Sequence, residues 1–276
     1  MIPFSDFGGS GPPLFFAHAN GYPPGAYHSL LTALTSNSHV RAIQFRPLWP
    51  DSQPDGLRDW YPFVEDVIQW VDEQHESEVI GVGHSLGSIT TLAAALRRPE
   101  LFRAVVLLDP VLLHPRLLWV WNIFRAVGLA HRVHPLIRSA KRRRRVFAHP
   151  AAMFTQYRCA PVFGRLSDTA LQTYIGALTR PRADGQIELA YAPEWEVAIY
   201  ASGPPNLWGQ LAQLRPPLLI IRGEQSDTFQ PSAMRQVLAR LPQAHIITVP
   251  GTGHLVPMEQ PEEVARLICE FLERHR

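Results

Sequence analysis

The feature that most constrains the fold is a serine between two glycines, at residues 83–87 with the sequence Gly-His-Ser-Leu-Gly. A short apolar run, residues 79–82, precedes it and is typical of a buried strand. Residues 88–96 follow it, with apolar side chains at helical spacing. A serine at a sharp turn between strand and helix has its hydroxyl pushed out of the fold, and flanking glycines avoid collisions with the neighbouring backbone. The pattern predicts that Ser85 is a nucleophile at a helix N-terminus, where free N–H groups stabilise negative charge; the alternative is an ordinary glycine-rich turn.

A serine hydroxyl needs a histidine to take its proton and an acid to orient that histidine. His254 lies on a glycine-rich loop after a predicted strand near the C-terminus. Asp227 lies on the loop after the apolar run at residues 218–221, and Asp109 ends another apolar run. Both aspartates therefore follow strand ends, where open α/β sheets assemble their sites. We predict His254 as the general base and Asp227 as the orienting acid, because the Gly-x-x-x-Asp loop fits Asp227 better; Asp109 is the alternative.

Together these motifs resemble those of the α/β-hydrolase superfamily, and the resemblance spans nearly the whole chain. Besides the serine motif, three segments match: residues 15–21 (Phe-Phe-Ala-His-Ala-Asn-Gly), residues 223–227 (Gly-Glu-Gln-Ser-Asp) and residues 251–254 (Gly-Thr-Gly-His). The resemblance implies an α/β fold with a mostly parallel central sheet and helices on both faces. It also implies the chain order serine, acid, histidine. It does not specify a substrate, because this fold hosts many chemistries.

The early segment resembles a family loop that contributes a backbone N–H group to the oxyanion hole. By position, the resemblance implies the N–H groups of Asn20 and Leu86 as the two donors. Ala19 stands where the family usually has glycine. Because alanine disfavours positive φ, we expect the loop to adopt a conformation that alanine tolerates, or to carry strain. The resemblance implies that His18 organises this loop, and we expect His84 to pack or hydrogen-bond within the fold.

The chain is predicted to consist of a core, residues 1–112 and 206–276, divided by an insertion at residues 113–205. The core begins with a short hairpin and then alternates strands with helices, which indicates a parallel sheet. The insertion is rich in aromatic residues and has no convincing run of strands. It lies where the superfamily inserts a helical cap, which roofs the site and excludes water. Its aromatic content indicates an apolar substrate, with Tyr191 and Trp195 predicted to line the pocket unless they pack the cap onto the core.

The identity of the nucleophile narrows the reaction. Relatives that dehalogenate or open epoxides carry aspartate at the centre of the motif, whereas Ser85 implies attack on a carbonyl carbon and an acyl-enzyme. We predict a serine esterase acting on carboxylic esters of small-to-medium apolar substrates. Cleavage of a carbon–carbon bond in a diketone, lactone or amide hydrolysis, and a ligand-binding module with an idle triad remain alternatives. We expect no metal or organic cofactor, because the triad needs neither and no ligand-spaced Cys/His cluster or phosphate-binding glycine loop occurs.

Length, composition and charge exclude some further classes of protein. A chain of 276 residues is long enough for one large α/β domain with an insertion. Its formal net charge of +2 indicates no strongly acidic partner, and we interpret the basic run at residues 141–145 as a solvated cap face, not a nucleic-acid site. Cys159 and Cys269 are predicted to be free thiols in a reducing compartment. No segment resembles a secretory signal or reaches the roughly 20 apolar residues of a membrane span, so we predict a cytoplasmic protein.

Overall fold

The computed structural model describes residues 1–74 and 78–275, and its framework is a large, mostly parallel β-sheet. The strands are β1 (Phe4–Gly8), β2 (Pro13–Ala17), β3 (His39–Ile43), β4 (Val79–His84), β5 (Phe102–Leu108), β6 (Val146–Phe147), β7 (Thr179–Pro181), β8 (Ile187–Leu189), β9 (Leu218–Gly223) and β10 (His245–Val249). Seven of them form the large sheet in the order β1-β3-β2-β4-β5-β9-β10. β1 is antiparallel to β3, and the other neighbours in this sheet are parallel. This confirms the predicted fold class.

The predicted N-terminal hairpin is wrong: residues 1–12 contain one strand, β1, which pairs with β3, and β3 lies between β1 and β2 in the sheet. Phe4 pairs with Ile43 on one side of β3, and Leu14 pairs with Val40 on the other side. The connection between β1 and β2 passes so close to the start of β3 that a Cβ on Gly9 would collide with backbone atoms there. The glycines let the chain cross to the far side of β3 instead of turning back on itself.

Helices cover both faces of the sheet, as predicted. They are α1 (His28–Leu34), α2 (Tyr61–Glu73), α3 (Leu86–Arg97), α4 (Pro115–Ala126), α5 (Ala130–Val133), α6 (Pro135–Lys141), α7 (Pro150–Arg158), α8 (Asp168–Leu178), α9 (Pro193–Ser202), α10 (Pro231–Arg240), α11 (Val256–Glu259) and α12 (Pro261–Arg274). α1 packs against α12, and α2 packs against α3. α12 buries one apolar stripe that includes Val264, Ile268 and Phe271, as an amphipathic helix on a sheet does. Among the described residues, no helix is long and apolar enough to cross a membrane.

Between β5 and β9 the chain forms helices α4 to α9 and a small antiparallel sheet in the order β6-β8-β7. The sequence did not reveal this sheet, because strands of two or three residues are too short to show a period. The segment contacts the core at several points: the indole N–H of Trp60 donates to the Ile199 carbonyl at 2.9 Å, and α8 packs against the 3-10 turn Pro24–Tyr27. The bounds 113–205 for a separate cap stay a prediction. The two cysteines are free thiols.

Candidate active site

Ser85 occupies the turn between β4 and α3 with φ 55° and ψ −110°, a backbone conformation that non-glycine residues rarely adopt. The turn can be this sharp because both flanking glycines lie against backbone. A Cβ on Gly83 would collide with Gly87, and a Cβ on Gly87 would collide with the Ala17 carbonyl at the end of β2. The serine side chain therefore lies at the N-terminus of α3 and at the carboxyl edge of the sheet.

The structure brings Ser85 and His254 together, with His254 Nε2 3.1 Å from Ser85 Oγ. On the other side of the ring, His254 Nδ1 lies 2.6 Å from Asp109 Oδ2. A carboxylate only accepts hydrogen bonds, so Nδ1 carries the proton and Nε2 is left as the acceptor for the serine hydroxyl. These three side chains form one continuous hydrogen-bonded series that ends on a fully buried carboxylate.

The prediction that Asp227 orients His254 is wrong, and the alternative, Asp109, occupies that position. Asp109 follows β5, which pairs directly with β9, so a side chain at the end of either strand can reach the same point. Oδ1 of Asp109 accepts from the Gly223 N–H at 3.1 Å, and Oδ2 accepts from the Ser226 hydroxyl at 2.5 Å. In the turn after β9, Ser226 faces Asp109 and the next residue, Asp227, is exposed.

The loop that carries His254 is tied down on both sides of the histidine. The Gly253 N–H donates to Glu259 Oε2 at 2.7 Å, and the Gly251 N–H donates to Glu224 Oε2 at 2.9 Å. Burial raises the pKa of the Glu259 carboxyl, and the hydrogen bond from Gly253 opposes that shift. The two carboxylates therefore fix the backbone from which the His254 ring projects.

Two further histidines are structural. His18 Nδ1 donates to the Ala19 carbonyl at 2.8 Å, and His18 Nε2 accepts from the Phe45 N–H at 3.2 Å. Burial lowers the pKa of His18 to about 4, so it is neutral at physiological pH. His84 is also fully buried, and burial lowers its pKa well below the ordinary value. His84 lies within the fold, as predicted, and His18 contacts the backbone of the loop that it was expected to organise.

His84 belongs to a hydrogen-bonded chain that joins the loop after β2 to the backbone of His254. The Ala19 N–H donates to the Tyr27 hydroxyl at 3.2 Å, and that hydroxyl lies 2.8 Å from His84 Nδ1. His84 Nε2 lies 2.9 Å from the His254 carbonyl oxygen. Because a carbonyl only accepts, Nε2 of His84 donates and Nδ1 accepts from the tyrosine. We refer to these contacts as the Tyr27–His84 chain; no sequence pattern predicted it.

The segments that carry the two predicted oxyanion donors adjoin each other, since Gly87 lies directly on Ala17 and His18. Leu86 is the first residue of α3, where backbone N–H groups have no partner within the helix. Ala19 does not have a positive φ; among the described non-glycine residues, positive φ occurs at Asp51, Ser85 and Asp109. The loop after β2 thus takes a form that alanine tolerates. The role of the two N–H groups stays a prediction.

Tyr191 and Trp195 were predicted to line the substrate pocket, but both side chains are buried in packing contacts within the protein. Tyr191 is completely buried, and its hydroxyl donates to Asn20 Oδ1 at 2.9 Å. Trp195 is buried edge-on to Phe63, and its indole N–H donates to the Ser52 carbonyl at 3.1 Å. Both side chains therefore fasten the segment between β5 and β9 to the core, because buried tyrosine and tryptophan side chains pack their rings and satisfy their polar ends.

A cavity of about 640 Å³ opens beside Asn20, between the loop after β2 and the inserted helices. It changes the interpretation of the basic run at residues 141–145. Lys141, Arg142, Arg144 and Arg145 are exposed, as predicted, but the side chain of Arg143 is turned inward and is 16% exposed. Arg143 forms an ion pair with the buried carboxylate of Glu196 and donates to the Tyr174 hydroxyl at 2.7 Å.

A serine hydroxyl backed by an imidazole and a buried carboxylate, at the carboxyl edge of a parallel sheet, is the arrangement of hydrolases of this fold. A family comparison agrees. The chain belongs to the alpha/beta hydrolase family, whose model matches residues 14–267.

Individual relatives are more distant. The chain is 24% identical over 268 residues to a 2-(acetamidomethylene)succinate hydrolase of Mesorhizobium japonicum, which covers 96% of this chain and 89% of that protein. It is 23% identical over 223 residues to an esterase of Escherichia coli, covering 80% of this chain and 78% of that protein. A crystal structure of E-2-(acetamidomethylene)succinate hydrolase superposes with a TM-score of 0.82 at 20% identity, covering 99% of this chain and 95% of that one.

Proposed function

We propose that the protein is a serine hydrolase that cleaves carboxylic esters of small-to-medium size through an acyl-enzyme. The observation that carries the proposal is the continuous series from Ser85 Oγ through His254 to the Asp109 carboxylate, at 3.1 Å and 2.6 Å. In this series the serine hydroxyl has a base that is already in the correct tautomer. Similarity to an esterase of Escherichia coli supports the same class.

In the proposed mechanism Ser85 Oγ attacks the carbonyl carbon while His254 Nε2 takes the hydroxyl proton. Asp109 stabilises the imidazolium that forms, through the bond to Nδ1–H. The N–H groups of Asn20 and Leu86 donate to the oxyanion of the tetrahedral intermediate, and each such donor is worth about 3 kcal/mol in comparable sites. His254 then protonates the leaving alcohol, and a water molecule activated by the same nitrogen releases the acid.

An amide is the second candidate substrate. The specific observation is the similarity over 96% of the chain to a hydrolase whose name places an acetamido group in its substrate. The same serine, base and oxyanion donors serve an amide, with His254 protonating an amine in place of an alcohol. We do not extend the proposal to an apolar substrate, because Tyr191 and Trp195, from which it was expected, are buried and pack the inserted segment onto the core.

The test is turnover of p-nitrophenyl acetate, butyrate and octanoate by the wild type and by Ser85→Ala. We expect hydrolysis by the wild type, with a preference for the shorter chains, and loss of catalysis in the variant, whose folding is checked by circular dichroism. Hydrolysis that persists in Ser85→Ala would contradict the role of this serine. A folded wild type that hydrolyses the corresponding N-acetyl anilide and no ester would establish the amide candidate. A folded wild type that hydrolyses neither would contradict the proposal and favour a binding module.

A further inference from the structure

The cavity beside Asn20 is strongly basic. Its ionisable lining consists of Arg138, Arg142, Arg143 and Arg144, together with one carboxylate, Glu196, and four tyrosines. Among the described residues, Glu196 is paired with Arg143, and no other carboxylate lines the cavity. Four guanidinium groups around one carboxylate leave an excess of positive charge in a recess, where low-dielectric walls strengthen its field.

Contacts within the protein hold two of these arginines in place. The Arg143 guanidinium donates to the hydroxyls of Tyr157 at 3.0 Å and Tyr174 at 2.7 Å, besides its ion pair. Arg144 Nε donates to the Val146 carbonyl at 2.7 Å, and its guanidinium lies 5.0 Å above the Phe147 ring. Glu196 balances the charge of Arg143, whereas a carbonyl and a ring position Arg144 without neutralising it. The positive charge available to a ligand is therefore that of the lining arginines other than Arg143.

The basic cavity borders the loop after β2, which carries the predicted oxyanion donor Asn20. Asn20 lines the cavity, and its side chain is held by Tyr191 and by the Glu196 carbonyl, to which Asn20 Nδ2 donates at 3.3 Å. Gly21 lies against the Arg143–Glu196 pair, close enough that a Cβ there would be 3.2 Å from the carboxylate. Asn20 is therefore shared by the cavity and the predicted oxyanion hole, so an acyl group bound at Asn20 borders the arginine-lined recess.

We infer that this cavity binds a carboxylate carried by the acyl part of the substrate, so that the substrate class is a monoester or monoamide of a dicarboxylic acid. The inference rests on the proposed function of Ser85 and names its substrate. The planar guanidinium fork matches a carboxylate with two parallel hydrogen bonds, and such charge-assisted bonds are roughly twice as strong as neutral ones. Arg138 and Arg142 are the specificity-determining residues at the open side of the cavity, where both are exposed.

The test compares phenyl hydrogen succinate with phenyl 4-oxopentanoate, in which an acetyl group of similar shape replaces the terminal carboxylate. Phenol release by Ser85→Ala is subtracted as the spontaneous rate. We expect the wild type to favour the carboxylate ester at least tenfold in kcat/KM. In the double variant Arg138→Gln/Arg142→Gln, this preference is expected to fall about tenfold, mainly through KM, because charge-assisted hydrogen bonds to substrate are lost. Lys141→Gln is the matched control: it removes a neighbouring exposed charge outside the cavity lining and should retain the preference.

The outcomes separate the inference from the proposed function. Hydrolysis of the neutral ester as fast as the carboxylate ester overturns the inference and leaves the serine hydrolase intact. If neither ester is hydrolysed, the proposed ester chemistry fails, and calorimetric titration of the folded protein with succinate decides the inference. Succinate binding that weakens in the double variant but not in Lys141→Gln upholds it, and no binding overturns it. Inorganic phosphate that binds more tightly than succinate also overturns the carboxylate assignment.

Discussion

At the scale of single residues, the acid that orients His254 comes from a different strand than its motif suggested. Asp109 follows β5 with a positive φ of 41°, and its carboxylate accepts hydrogen bonds from His254, Ser226 and the Gly223 N–H. In the loop after β9, Ser226 is the residue whose side chain reaches Asp109, the partner of His254. Asp227, one residue later, is directed to solvent. A shift of one residue in a turn changes which side chain faces the site.

Exchange of each aspartate for asparagine tests this assignment. Asp109→Asn should lower kcat by about 10³–10⁴-fold, because the amide favours the wrong tautomer of the histidine. Asp227→Asn is the matched control and should retain kcat near the wild-type value, since its side chain does not contact His254. Steady-state kinetics on a p-nitrophenyl ester that the wild type hydrolyses provide the measurement. A large loss in the Asp227 variant with normal turnover by Asp109→Asn would refute the assignment.

At the scale of elements, the Tyr27–His84 chain connects three separate loops. It begins at Ala19 after β2, passes through the 3-10 turn that ends at Tyr27, and reaches the loop after β10 through His84 at the end of β4. The loop after β2, the end of β4 and the loop after β10 each adjoin or carry one part of the candidate site. The chain therefore links the loop that holds Asn20 to the backbone of His254.

Tyr27→Phe removes the hydroxyl at the centre of this chain and leaves the Ala19 N–H and His84 Nδ1 buried without it. An unsatisfied buried polar group costs about 1–3 kcal/mol, so the free energy of unfolding should fall by about that amount or more. We also expect kcat to fall while KM changes little, because the chain positions the reacting groups. Urea unfolding and ester kinetics below the unfolding transition are the two measurements. Tyr61→Phe, at an exposed tyrosine, is the control. Lower stability with unchanged kcat would show that the chain is only structural.

At the scale of the whole molecule, two neutral histidines buried in the core make the fold sensitive to acid. His18 has a pKa of about 4, and the pKa of His84 also lies well below the ordinary 6.5, in both cases because of burial. Between these folded-state values and 6.5, the unfolded chain binds protons that the folded protein does not. The free energy of unfolding should therefore fall as the pH drops below about 6.5, down to about 4 in the case of His18.

In this pH range the free energy of unfolding should fall by about 1.4 kcal/mol per pH unit for each of the two histidines. The carboxyl groups make their own contributions to the pH dependence. Urea denaturation at pH 7, 6 and 5 measures it. His84→Gln removes one of the two protons taken up on unfolding, so its stability should depend less steeply on pH than that of the wild type. His131→Gln, on an exposed turn of α5, should keep the wild-type slope. An identical slope in the His84 variant would show that this histidine is not a source of the acid sensitivity.

Local patterns were enough to predict the central sheet, the turn at Ser85 and the strand-end loops that carry His254 and Asn20. These features depend on side-chain periodicity and on glycines beside a tight turn, which a short stretch of sequence displays. The same local evidence did not show that β3 separates β1 from β2, because strand order depends on where the chain crosses the sheet. Nor did it reveal the small sheet β6-β8-β7, whose strands are too short.

What the sequence determined by itself is the fold class and a serine and a histidine available to form a site. The tertiary structure alone decided which aspartate completes the hydrogen-bonded series, since β5 and β9 end side by side and only their packing selects between Asp109 and Asp227. It also decided that Tyr191 supports Asn20 and that Arg143 turns inward to Glu196. These contacts join residues far apart in the chain, and their geometry arises only when the inserted helices pack on the core.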